Sequence, residues 1–298
     1  MTRTFHYFFV FLMGMMIRLG HAQLPATDIW LVNIKSDTIS THPSFSLPVR
    51  IKTGFRYNNQ PAFTSDGQYL LFAASTDSLQ TDIYSFSLTD STITRLTTTE
   101  ESEFSPVMYE TGKISVVRVE KNKAQRLYVL DKDMAYEGYP LVHFNDSVAY
   151  YGWAGKDDVA LTVLDHGKTA LHFFNIPSQQ YILLRQEKTG RCFARTSSGE
   201  ICFVIKETDS TGMIVRFDPV NEIFVPWCPL LTGSEDFIIT PDDRVWMGNQ
   251  GKLYEWNAKE SLWQPMADFS KTIGPFYRLA ISPDNKRLAL VSYSGRKP

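Results

Sequence analysis

Two arginines, two acids, two amides and three tyrosines recur at one place in an internally repeated sequence, and they are the residues best equipped to do chemistry. At one position of the repeat stand Gln60, Ser105, Tyr151, Cys192, Asp236 and Arg278. One residue earlier stand Asn59, Phe104, Tyr150, Arg191, Glu235 and Tyr277. Guanidinium groups, carboxylates, amides and phenols gathered on a ring can fix a ligand by a few directed contacts, as concave binding sites do. The candidate ligand-binding residues are therefore Asn59, Gln60, Tyr150, Tyr151, Arg191, Glu235, Asp236, Tyr277 and Arg278. A purely architectural reading of the same residues has Arg191 and Arg278 pairing with Glu235 and Asp236 to hold neighbouring repeats together.

Catalytic signatures are absent from the sequence. There is no Gly-x-Ser-x-Gly nucleophile elbow, no phosphate loop and no His-Glu-x-x-His zinc motif. No catalytic residue, metal site or cofactor is expected. Past the first 22 residues the histidines are His42, His143, His166 and His172. His166 and His172 flank Gly167-Lys168 and read as hairpin residues. Asp66, Asp242 and Asp284 sit in turns, where an Asp caps its own backbone two residues on. The one cluster that could hold a cation is Asp236, Glu235 and Asn59. It supports an alternative reading, a hydrolase or lyase acting on carbohydrate or a small ester with a channel-bound cation. Glu100, Glu101 and Glu103 read as a solvated loop, and Arg118, Glu120 and Arg126 as an ion-paired set within one sheet.

The elements that must position these residues are strands. Asp28–Ile34, Tyr69–Ala73, Asp82–Leu88 and Ile114–Val119 are short, rich in Val, Ile, Tyr, Phe or Thr, and bounded by turn formers. No stretch carries a sustained helical stripe. Residues 58–72 (NNQPAFTSDGQYLLF) and 276–291 (FYRLAISPDNKRLALV) share one plan of strand, Asp-centred turn and strand. Eroded copies turn at Gly112, Lys156–Asp158, Ser198-Gly199 and Pro241–Asp243. The step is about 45 residues, that of a four-stranded propeller blade. The last copy lacks its outer half, and DIWLVNI at 28–34 looks like the third strand DIYSFSL at 82–88, with Leu47–Lys52 as a fourth. The expectation is an all-β, six-bladed β-propeller of four-stranded antiparallel blades, closed by pairing of the N- and C-terminal strands so that no sheet edge is left open.

The remaining composition narrows the setting. Thirty Lys and Arg against 32 Asp and Glu offer no basic face, so no nucleic-acid partner is expected. Phe5–Ile17 is an apolar run ended by Arg18 and followed by Leu19-Gly20-His21-Ala22, the pattern of a secretory signal cut after Ala22. The run is shorter than the roughly 20 residues a membrane span needs, so no span is expected after signal removal. Residues 1–22 are then the signal and 23–298 a single propeller, periplasmic or secreted. Cys192, Cys202 and Cys228 are too few for a disulfide scaffold. Cys192 and Cys202 flank a turn and could face each other, but they read first as small packed residues. The six tryptophans read as packing between blades.

On the turns Thr64-Ser65-Asp66-Gly67, Thr240-Pro241-Asp242-Asp243 and Ser282-Pro283-Asp284-Asn285, the chain resembles the TolB-like family of β-propellers, whose WD-like repeats centre on Ser-Pro-Asp-Gly. The strings TDIYSFSL (81–88), RLTTTEESEFSP (95–106), SVVRVEKNKAQRLYVL (115–130) and LTGSEDFIITPDD (231–243) are similar to those of a secreted bacterial branch. The resemblance spans 23–298 and implies the fold. It leaves activity open, because such propellers bind, scaffold or catalyse. TolB carries a separate domain before its propeller, and none fits between Ala22 and Asp28. The related peptidases carry an α/β-hydrolase domain, and only Tyr293–Pro298 follow the last strand. These departures weaken the transfer of a TolB role such as binding a partner lipoprotein. Together with the absent catalytic motifs, they give the expectation of a binding module that presents its channel mouth to a protein, peptide or glycan.

Overall fold

The computed structural model describes residues 23–35, 43–76, 80–110, 112–131, 138–142, 147–165, 168–186 and 188–295. The proposed signal, His42, His143 and His166 lie outside the described residues.

Five blades follow the chain without interruption, each an antiparallel meander. Blade I is Tyr57–Phe63, Tyr69–Ser75, Asp82–Ser87 and Ile93–Arg95. Blade II is Ser102–Glu110, Lys113–Val119, Gln125–Asp131 and Tyr139–Pro140. Blade III is Ser147–Trp153, Asp158–Asp165, Lys168–Asn175 and Gln180–Gln186. Blade IV is Thr189–Arg195, Ile201–Lys206, Gly212–Asp218 and Ile223–Pro229. Blade V is Phe237–Ile239, Val245–Asn249, Lys252–Asn257 and Leu262–Asp268. A single helical turn, Ser270–Ile273, leads into blade VI.

Blade VI is built from both ends of the chain. Phe276–Ile281 and Arg287–Tyr293 supply its inner half, and Thr27–Lys35 pairs antiparallel with Arg287–Tyr293, from Thr27 opposite Tyr293 to Asn33 opposite Arg287. The fourth position is shared by two short strands, Ser44–Phe45 and Val49–Arg50, where a single strand over 47–52 was expected. Closure is achieved as the half-repeats at the two ends require.

The core is distributed among the blade interfaces. Among the described residues, six apolar clusters each join two consecutive blades around the ring. Each blade thus buries both faces against its neighbours, which is why the middle strands read as nearly continuous apolar runs, such as YLLFAAS at 69–75. Two glycines allow the closest approaches. A Cβ on Gly152 would lie 2.2 Å from Phe193 Cβ in the next blade, and one on Gly248 would lie 2.1 Å from the Phe276 ring.

The repeated turn is held by its first residue as well as by its Asp. The hydroxyls of Thr64, Thr196, Thr240 and Ser282 accept from the backbone N–H of Tyr69, Glu200, Arg244 and Arg287 at 2.9–3.0 Å. Asp66 and Asp284 accept from the N–H two residues on, at 2.9 and 3.1 Å. Asp66 and Asp284 are thereby engaged in shaping hairpins, whereas Asp242 accepts from Arg244 Nε at 2.8 Å.

One expectation about the charged residues is corrected. Glu103 is not in a solvated loop: its strand starts at Ser102, and Glu103 faces Arg118 directly across the ladder. It is fully buried, 3.1 Å from Arg118 Nε, and accepts from Thr97 Oγ1 at 3.1 Å and from Thr99 Oγ1. Arg126 meets Glu120 at 3.5 Å within the same blade, as expected. Cys192 and Cys202 are packed strand residues, as they read first, and do not face each other, because Cys202 lies opposite Ala194. All three cysteines are free thiols.

Candidate functional site

The first strand of each blade lines a central channel of about 310 Å³. Neighbouring first strands contact one another around most of the ring, and equivalent positions of the repeat line the same channel. Gln60, Ser105, Tyr151, Cys192, Asp236 and Arg278 all line it, joined by Tyr150 and Arg191. Residues one to three places further along, including Phe63, Val107, Phe193, Ile239 and Ile281, form an apolar lower wall. One end of the channel is therefore polar and charged, and the other is greasy.

Local backbone irregularity creates the polar end. Pairing slips between Asn59 and Ala62, Phe104 and Val107, Val148 and Tyr150, Thr189 and Phe193, and Phe276 and Arg278. Such bulges re-aim side chains. Gln60 and Ser105, each followed by proline, take left-handed φ values of 55° and 53°. The Gln60 side chain consequently reaches the next blade, where its Oε1 accepts from Ser105 N at 3.0 Å.

Much of the ring is occupied in joining blades. Tyr151 donates to the Ser105 carbonyl at 2.7 Å or the Ser115 carbonyl at 2.8 Å. Asn59 donates to the Tyr277 hydroxyl at 3.0 Å and accepts from Gln60 N at 2.8 Å. Cys192 Sγ lies 3.2 Å from the Phe237 carbonyl and accepts from Phe237 N at 3.3 Å. Burial pushes the Tyr151, Tyr277 and Cys192 pKa values well above their usual ranges, so all three stay protonated well beyond neutral pH.

The charges are arranged unevenly. Asp236, 5% exposed, accepts from Arg191 Nε at 2.7 Å and lies 3.6 Å from Arg278 Nη1. Glu235 is engaged elsewhere: it meets Lys206 Nζ at 2.8 Å and accepts from Arg191 N at 2.5 Å. Burial works against the Arg191 charge, but the Asp236 and Glu235 carboxylates outweigh it and hold its pKa above the ordinary value. Both arginines thus converge on Asp236. Arg278 Nε is buried without a hydrogen-bond partner. Tyr150 lines the channel near the guanidiniums. Burial raises its pKa, Arg278 and Arg191 pull it back, and it keeps its proton at neutral pH.

Six of the nine candidate residues therefore line the channel: Gln60, Tyr150, Tyr151, Arg191, Asp236 and Arg278. Asn59, Glu235 and Tyr277 stand behind the wall as supports. The trio considered for a cation is not free to converge on one, since Asp236 holds two arginines, Glu235 holds Lys206, and Asn59 holds Tyr277. Among the described residues, no group of three or more His, Cys, Asp or Glu is placed to hold a metal ion. Lys206 and the apolar lower wall were missed from sequence. The wall was accessible by continuing along each first strand, whereas Lys206 required knowing which side chain crosses behind Glu235.

In fold the chain is a TolB-like six-bladed β-propeller. It is similar over 92% of its length to the whole of a protein described as a TolB from Agrobacterium tumefaciens, with a TM-score of 0.67 at 12% identity. It is also similar to a chain of a nidogen–laminin complex, with a TM-score of 0.62 at 9% identity, covering 85% of this chain and 97% of that one. A gluconolactonase of Xanthomonas campestris gives a TM-score of 0.60 at 9% identity, covering 93% and 99%. At these identities the likeness is one of fold. No protein-family model matches the sequence, and no curated protein matches it.

Proposed function

We propose that the protein is a non-catalytic binding module, periplasmic or secreted, that presents the polar mouth of its channel to a protein, peptide or glycan partner. One observation carries this reading. Arg278 and Tyr150 line the channel from blades III and VI, on opposite sides of the ring, with polar groups that the blade-joining network leaves over. The fold likeness to TolB and to a chain of a nidogen–laminin complex agrees with a role in association.

The test is capture of partners from periplasmic and secreted fractions on the immobilised protein, compared with Tyr150→Phe/Arg278→Gln. Loss of a captured species with the folded variant supports the reading, and an identical captured set sinks it. The alternative, a hydrolase or lyase with a channel-bound cation, draws on the likeness to a gluconolactonase. It requires metal in the purified protein and turnover of a lactone or ester substrate, both absent if the binding reading holds.

Export rests on the segment 1–22, and 23–298 would form the single propeller. No helix among the described residues is long and apolar enough to cross a membrane. Mass spectrometry of the exported protein should find Gln23 at its N-terminus, and a retained Met1 would remove the basis for this placement.

A further inference from the structure

The channel's charge is unbalanced. Its described lining holds two guanidiniums, Arg191 and Arg278, and one carboxylate, Asp236. The neighbouring pair, Glu235 with Lys206, is balanced within itself. The Tyr150, Tyr151 and Cys192 side chains, ordinarily protonated near pH 7, are held neutral more firmly still by burial. One positive charge is therefore left over in a partly desolvated site, where an incompletely paired charge is costly.

The excess is localised at Arg278. Arg191 has the short hydrogen bond to Asp236, whereas Arg278 lies 3.6 Å from the other carboxylate oxygen with its Nε unpartnered. A guanidinium is a planar fork suited to a second carboxylate, and Tyr150 offers a neutral hydroxyl donor across the channel. Beyond this polar level the walls turn apolar at Phe63, Val107, Phe193, Ile239 and Ile281. We infer that the channel takes one carboxylate group carried on an apolar body, with the carboxylate completing a pair of anions against Arg191 and Arg278 and the body lying along the lower wall. This rests on the channel mouth being the binding face. The same chemistry is offered by a small monocarboxylate and by the C-terminus of a peptide ending in apolar residues.

Calorimetric titration distinguishes these sources. One arm uses hexanoate and 3-phenylpropanoate against hexanamide and 3-phenylpropanamide. The other uses an apolar tetrapeptide with a free C-terminus against its C-terminal amide. Saturable binding of at least one free acid, about tenfold or more tighter than its amide, is expected. Arg278→Gln should remove that preference, and Tyr150→Phe should weaken the acid several-fold. Equal binding of acid and amide, no saturable binding of any acid, or full acid binding by folded Arg278→Gln would overturn the inference. Partner capture by the same variants separates the two claims. If capture depends on Arg278 while no acid binds, the ligand class is wrong and the channel mouth stands; if capture is indifferent to Arg278 as well, both fall.

Discussion

Replacing Asp236 by Asn removes the one anion that two guanidiniums share. At an effective dielectric of about 20, the contacts at 2.7 and 3.6 Å correspond to gross attractions of about 6 and about 5 kcal/mol. Most of each offsets the cost of taking the charges out of water. What remains is set by the loss of a partner for buried charge, typically about 3–5 kcal/mol. Arg191 retains some solvent contact, so the lower half of that range is expected for Asp236→Asn. Arg278→Gln is the informative contrast. It deletes a charge that has no full counterion, leaves Arg191 and Asp236 as a one-to-one pair, and should fall within about 1 kcal/mol of wild type. The double variant should then be more stable than Asp236→Asn alone, because only one uncompensated guanidinium remains. Urea denaturation of the four proteins gives all three differences. A cost below about 0.5 kcal/mol for Asp236→Asn, or a double variant no better than the single, would refute the electrostatic account of the channel.

Other residues give independent checks. Burial pushes the Glu103 pKa up to about 6 despite Arg118, from an unfolded value near 4.5. The folded state therefore holds this proton more tightly, and stability falls by about 2 kcal/mol as pH rises from about 4.5 to about 6, then levels off. Glu103→Gln should lack that fall when its denaturation is compared with wild type across the interval; parallel curves would contradict the buried placement. Burial also raises the pKa of the Cys192, Cys202 and Cys228 thiols, that of Cys228 to about 12. Thiol titration near pH 8 should be slow in the native protein and find three groups in urea; rapid native reaction would contradict it. Gly248→Ala should cost about 1–3 kcal/mol by driving a methyl into Phe276 of the next blade. Gly155→Ala, in open space, should cost far less, and equal effects would argue against the tight contact between blades V and VI.

The architecture was legible because it depends on features a sequence repeats. The Asp-centred turns fixed the alignment, and half-repeats at 28–34 and 276–291 required closure, observed as Thr27–Lys35 on Arg287–Tyr293. The site was legible as a ring because equivalent residues of a repeat occupy equivalent places. Which ring members face the channel was not, since this depends on bulges such as that at Gln60. Glu103 was misread for a related reason. Three glutamates within four residues look solvated until a cross-strand partner is known, and the only hint was Arg118 inside the apolar run SVVRV. Turn residues speak through local chemistry, whereas charge pairing across blades is set by tertiary register.

The channel mouth and the rim of the propeller compete as the face that meets partners, and blade III carries a probe position at each. Tyr150 lies on its inner strand in the channel, and Ile182, 41% exposed, lies on its outer strand. A photo-crosslinking benzoylphenylalanine at either place, irradiated in the periplasmic or secreted fraction, reports which face is engaged. Adducts from position 150, suppressed by Arg278→Gln, are the predicted result. Adducts from position 182 with none from 150 would contradict the account.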